Sequence, residues 1–140
     1  MTSKIVKAGE TPPKKAAPPR LPIGPKPPIV IHDLLGLMER SDELTWEPFL
    51  AGVYRHWLYR VEEDGPAAAL IYFEPGSRVP LHEHIGFEHV VVLSGSQTDE
   101  NGTAKTGTLV INMPGTRHSL FSEGGCLVLV VYGRRVRFLE

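Results

Sequence analysis

From Thr45 onward, glycine and proline cut the chain into short pieces. Asp64-Gly65-Pro66, Pro75-Gly76, Asn101-Gly102, Pro114-Gly115 and Gly124-Gly125 fall between runs of strand-forming residues. Each pair or triplet is a turn signal. Between them, "VYRHWLYRV" alternates with period two, and "AAALIYFE" reads as a strand buried on both faces. "EHVVVLSGS", "TLVIN", "HSLFS", "CLVLVVY" and "RVRFLE" continue the series. Many short strands with regular turn punctuation predict an all-β sandwich or barrel. A length of 140 residues suits one such domain.

The first 44 residues follow a different pattern. Eight of the 13 prolines lie in residues 1–28, including Pro12-Pro13, Pro18-Pro19 and Pro27-Pro28. Such a segment cannot form a helix or a central strand, and polyproline II is its natural state. It reads as a solvated tail, or as an arm laid on a second copy or on a protein partner. Residues 29–44, "IVIHDLLGLMERSDEL", place Ile31, Leu34, Leu35 and Met38 at helical spacing after Asp33, predicting a short helix packed on the body. Residues 45–140 form the β-domain.

Charge and cysteine usage narrow the context. Residues 1–29 carry Lys4, Lys7, Lys14, Lys15, Arg20 and Lys26 against Glu10 alone. With a net charge of −1 overall, the body is therefore acidic, which gives no support to nucleic-acid binding. Cys126 is the one cysteine, so no intrachain disulfide forms, as expected in a reducing compartment. No apolar run approaches the roughly 20 residues of a membrane span. The N-terminal "MTSKIVKAGETPPKK" lacks the apolar core of a secretory signal. The expected location is the cytoplasm, with no membrane partner.

Against that background, "PGSRVPLHEHIGFEHVVVLSG" (residues 75–95) is unusually polar for a strand region. His82 and His84 are two apart, so on a strand they share a face. Two imidazoles side by side are either surface residues or metal ligands. Glu88 returns to that face beside Val90 and Val92 if parity resumes after Gly86. A carboxylate among apolar residues is costly unless a cation compensates it. His118, beyond Pro114-Gly115, is a fourth candidate from a neighbouring strand. His89 has the opposite parity and faces away, as does Glu83.

These residues carry a resemblance. "GSRVPLHEHIGFEHVVVLSG" (residues 76–95) resembles the first cupin motif, and "GTLVINMPGTRHSLFS" (residues 107–122) the second, with Gly107, Gly115 and His118 in register. Met113 stands at the usual proline position, with Pro114 one place later, and Ser122 replaces the usual terminal asparagine. The spacing "TWEPF…GV", His-x-His-x-Gly-x-Glu, "VLSGSQTDENG" and "FSEGGC" is similar to the ChrR-like cupins over roughly residues 45–132. The resemblance implies a jelly-roll β-barrel holding one divalent metal on His82, His84, Glu88 and His118. A nitrogen and oxygen shell without thiolate suits Fe, Mn, Zn, Ni or Cu. The Cys-containing zinc domain of the ChrR anti-sigma factor has no counterpart among these motifs.

Two functions follow from the resemblance. One is a metal-dependent dioxygenase-like enzyme acting on a small chelating substrate of the diketone or hydroxyaryl ketone type. The other is a non-catalytic metal- or ligand-sensing module similar to the C-terminal domain of ChrR. His56, Tyr59, Tyr72, Arg78 and Arg117 are candidates to line the pocket. Arg134, Arg135 and Arg137 read as a solvated strand edge, and Cys126 as a buried structural residue. The N-terminal segment offers a route to a homodimer.

Overall fold

A computed structural model describes residues 27–139. The proline-rich segment expected over residues 1–28 lies almost wholly outside them, as do the expected homodimer arm and any partner contact it makes.

Ten strands follow in chain order: β1 (Glu47–Leu50), β2 (Val53–Arg60), β3 (Ala67–Phe73), β4 (Ser77–Glu83), β5 (Glu88–Asp99), β6 (Gly102–Lys105), β7 (Leu109–Asn112), β8 (Arg117–Ser122), β9 (Cys126–Tyr132) and β10 (Arg137–Phe138). They pair antiparallel in one curled sheet, ordered β1-β2-β3-β9-β5-β8-β4-β10, with β6 and β7 also on β5. The all-β barrel expected from the turn pattern is therefore present. Its inside is apolar: Val53, Phe73, Val79, Val90, Val92, Cys126, Val128 and Val130 form one buried cluster.

The other face of the β2-β3-β9-β5 sheet is also buried. Leu37, Trp46, Tyr54, Leu70, Leu93 and Leu127 pack there. This explains why β9, "CLVLVVY", is a continuous apolar run: Val128 and Val130 face inward, while Leu127 packs on the outer cluster.

A helical segment, Leu34–Glu43, covers that outer face, but it is 3₁₀ and kinked at Arg40 rather than a regular α-helix. Three residues per turn put Leu34 and Leu37 on one side. Leu37 is buried and Leu34 and Met38 pack beside it, whereas Leu35 is 63% exposed and Ile31 also points outward. The expected Ile31-Leu34-Leu35-Met38 stripe is thus replaced by one centred on Leu37. Asp33 precedes the segment in a left-handed conformation with no side-chain cap. The Arg40 guanidinium instead donates to the carbonyls of His32 and Asp33. Trp46 fixes the far end by donating from Nε1 to the Ser41 carbonyl at 2.9 Å.

Besides a register shift at Pro48–Leu50 on β1, three β-bulges shape the barrel. In each, one strand carries an extra residue, and the parity of everything beyond it flips. On β2 the step from Trp57 to Tyr59 faces Ala69 to Ala68 on β3. On β4 the step from Val79 to His82 faces Leu120 to His118 on β8. On β5 the step from Val92 to Ser94 faces Val128 to Leu127 on β9. Just beyond the last bulge, Gly95 has φ 82°. A Cβ there would overlap the Gly125 carbonyl and come within 2.9 Å of Cys126 Cα. Only glycine lets β5 and β9 approach so closely at this bend.

Two outcomes are expected. Gly95→Ala should lower stability by about 2–4 kcal/mol in equilibrium urea unfolding, combining a left-handed backbone with a steric overlap. Gly124→Ala, where a Cβ meets nothing, should cost less than about 1 kcal/mol. Burial pushes the Cys126 thiol up to about 11, the Ser122 hydrogen bond opposing it only in part. An aromatic disulfide reagent at pH 8 should therefore leave the folded protein unmodified and react with one thiol after unfolding.

Candidate metal centre

The bulge on β4 turns His82 inward, where it faces His118 across the β4–β8 ladder. The ladder continues past β4: the His84 amide donates to the Thr116 carbonyl, and the Gly115 amide donates to the His84 carbonyl. His84 therefore keeps the inward parity of His82. The three rings meet edge to face, with centroids 4.6 Å apart for His82–His118, 4.7 Å for His84–His118 and 5.2 Å for His82–His84. All three are buried. One ring nitrogen from each lies within 4.8 Å of the others.

The hydrogen bonds behind the rings assign the tautomers. His82 Nδ1 is 2.7 Å from the Pro80 carbonyl, which can only accept. His118 Nδ1 is 2.7 Å from Asp99 Oδ2. His84 Nδ1 lies 3.2 Å from the Thr116 carbonyl and 3.0 Å from its hydroxyl, which spends its own proton on the Met113 carbonyl. Each Nδ1 is thus the donor, and each Nε2 presents a lone pair. The Nε2 atoms of His84 and His118 are buried with no hydrogen-bond partner. Three convergent lone pairs in a buried corner, each backed by an acceptor on the far nitrogen, fit a cation in electronic character and in orientation.

Glu88 stands beside this triad rather than within its mutual 4.8 Å set. Its Oε1 is 3.4 Å from His84 Nε2 and accepts from Asn112 Nδ2 at 3.1 Å. The structure thus gathers the four sequence-identified residues, with three as a tight group and Glu88 at its edge. Burial holds His82 below its usual pKa, and the nearby His118 and His84 add to this, against the Pro80 carbonyl and Glu88. Burial also pushes Asp99 up, but its bonds to His118 and Asn101 outweigh that and leave it below the ordinary carboxylate range.

A cavity of about 730 Å³ opens from the triad. His82, His118 and Glu88 line one side, and Ile71, Val90, Val128 and Val130 supply much of the rest. His56, Tyr59, Tyr72, Arg78 and Arg117 do not line it. His56 is opposite Leu70 and Tyr72 opposite Tyr54, on the outer face of the sheet. Tyr59 is opposite Ala68, sent to the same face by the β2 bulge. Arg78 pairs with exposed Phe121, and Arg117 reaches out to Glu83 at 3.4 Å. Arg134, Arg135 and Arg137 are exposed, as expected, with Arg137 on the edge strand β10, and all three also line the cavity mouth. The chain there crosses from β9 to β10, tied to the β2–β3 loop by Arg134–Asp64 (2.7 Å) and Arg135–Glu63 (3.5 Å). Phe138 then lies against His82, 5.8 Å between centroids.

Sequence reading missed Asp99, Thr116 and Asn112, which orient the site. Asp99 looked like a turn residue of "DENG". Thr116 and Asn112 gave no signal beyond their closeness in sequence to His118.

The match to the family model described as the ChrR cupin-like domain spans residues 36–135. A search of curated proteins finds no match. Among solved structures, a chain of Rhodobacter sphaeroides SigE in complex with the anti-sigma ChrR is similar, with 26% identity and a TM-score of 0.60. It covers 69% of this chain and 53% of that one, so this chain spans about half its length. An acetylacetone dioxygenase from Acinetobacter johnsonii shares the fold at 16% identity, with a TM-score of 0.65 and coverage of 84% and 80%. An RmlC-like cupin from Shewanella frigidimarina NCIMB 400 does so at 18% identity, with a TM-score of 0.58 and coverage of 68% and 87%. The curled barrel is a cupin jelly roll, and the chain belongs to the ChrR cupin-like domain family.

Proposed function

We propose that this cupin holds one divalent transition metal on the Nε2 atoms of His82, His84 and His118, with Glu88 as fourth ligand, and uses it on a small molecule bound in the adjoining cavity. The observation that supports this reading most is the opening of the histidine corner into about 730 Å³ of largely apolar space. A purely structural metal site is closed by its ligands, whereas a reactive one keeps positions open toward substrate. The reaction class we assign is dioxygenase-like, on a chelating diketone or hydroxyaryl ketone, in line with the fold shared with an acetylacetone dioxygenase.

A metal held by His82, His84, His118 and Glu88 would supply Lewis acidity at this place. The chain's own contribution is positional. Pro80, Thr116 and Asp99 hold the three Nε2 lone pairs toward one point. Asn112 keeps Glu88 turned to the same corner. Val90, Val128 and Val130 exclude water from the bound ligand's body. Phe138, packed on His82, covers the approach from the β10 side.

The similarity to a chain of the SigE–ChrR complex favours a second reading. In it the same centre reports metal or ligand state to a protein partner without turnover. Metal analysis after anaerobic purification, followed by oxygen uptake with diketones and hydroxyaryl ketones, separates the two. Stoichiometric Fe or Mn with turnover supports the enzyme. Zinc without turnover supports the module.

The double variant His82→Ala/His84→Ala should lose metal binding by more than about a hundredfold, beyond the roughly 10–100-fold that removing a residue behind a ligand costs, while circular dichroism still reports a β-fold. Full metal occupancy in that variant would defeat the assignment. Asp99→Asn should weaken metal affinity about tenfold by removing the carboxylate behind His118. The pH dependence of the metal-free protein has a definite sign. The unfolded chain protonates His82 near 6.5 and the folded one only lower. Stability from this group is complete above pH 6.5 and declines as pH falls below it. Thermal unfolding between pH 7.5 and 5 should show that decline, and it should shrink when His82 is replaced by asparagine.

A further inference from the structure

The wall of the cavity away from the histidines carries charge that the metal centre does not use. The guanidinium carbons of Arg55 and Arg60 lie 4.4 and 4.5 Å from the Trp57 ring centroid, so two cations share one indole. Arg55 is largely accounted for. It also stacks on Phe49 at 4.4 Å, and it bonds Glu47 Oε1 at 3.0 Å, an atom that Trp57 Nε1 also reaches at 3.1 Å. Its Nε, however, is buried with no hydrogen-bond partner. The other arginines at the cavity are paired: Arg134 with Asp64, Arg135 with Glu63 and Arg137 with Glu83. Among the described residues, Arg60 alone of the cavity arginines has no carboxylate partner.

Strand register links this cation to the metal corner. Asn112, Glu88, Tyr132, Ala67 and Arg60 are successive cross-strand partners on β7, β5, β9, β3 and β2. Glu88 and Arg60 are thus three strand steps apart, about 14 Å along the row. Ala67 and Ala69 pack with Trp57, and Tyr132 lies against them. Burial pushes the Tyr132 hydroxyl up, and Arg55 and Arg60 are both near enough to pull against it. A cation at an apolar cavity with no carboxylate partner is unfavourable by itself. A carboxylate on the ligand would compensate it.

We propose that the cavity selects an anionic ligand, a carboxylate on an apolar body, with the carboxylate held by Arg60. Arg60 is then a specificity-determining residue. The body lies along Ala69 and Val130 toward the histidines. This rests on the reading of the cavity as the ligand site of the metal centre, and it names the class of ligand.

The test uses the full chain, zinc-loaded and chelator-treated, titrated calorimetrically with benzoate and with benzamide, its neutral counterpart. Benzoate should bind roughly tenfold more tightly than benzamide in both metal states, the size of a charge-assisted contact. Arg60→Gln should remove that preference and change benzamide binding less than about twofold, while Arg60→Lys keeps part of it. Equal affinities, a preference untouched by Arg60→Gln, or no saturable benzoate binding would overturn the proposal. So would a preference seen only with zinc present, which would place the anion on the metal. Failure of the metal assignment is read separately, in the metal content of the histidine variants, and leaves the chelator-treated titration intact.

Discussion

Everything at the site depends on the bending of one strand. β5 has 12 residues, which laid straight would span roughly 40 Å. Yet both of its ends serve the same corner. Glu88, its first residue, is 3.4 Å from His84 Nε2, and Asp99, its last, is 2.7 Å from His118 Nδ1. The bulge at Val92–Ser94 and the tight passage at Gly95 make this fold-back possible. Without it the sheet would not curl, and the two histidines would lose their partners on opposite sides of the molecule.

The bulges have a second effect, which joins the metal corner to the cationic wall. His82, Asp99 and Arg60 each follow a bulge on their own strand. The apolar residues before each bulge, Val79, Val92 and Trp57, already face the interior. By strict alternation the three polar residues would face away. One extra residue per strand brings each of them inside without disturbing the apolar residues upstream. The barrel thus stays packed while three of its strands change from core to function partway along their length.

This also explains what could be read from the sequence. The turn signals located the strands, and His-x-His with Glu88 located the centre, because those residues lie close together in sequence between two breaks. His118 was recoverable through the second motif. The orienting residues were not. Asp99 is odd-numbered where Glu88 is even, so period-two counting along β5 places it outward. The bulge on β2 likewise turns Tyr59, one of the pocket candidates, outward and brings Arg60 in. For Tyr72 and His56 the limit was different. Both faces of their sheet are buried, one by the helical segment anchored at Trp46, so half-burial did not reveal which side held the cavity.

A site assembled in this way is recorded in the number of residues along a strand as much as in their identity. Removing Ser96, with the bulge at Val92–Ser94 kept, would leave Glu88, Val90, Val92 and every histidine in place. Yet it would turn Asp99 to the outside and leave the imidazole of His118 unsupported. Single-residue insertions and deletions inside β2, β4 and β5 are therefore switches between two faces of the same sheet. Relatives that keep the whole His-x-His-x-Gly-x-Glu motif but differ by one residue in these strands would share the ligands and not the chemistry around them.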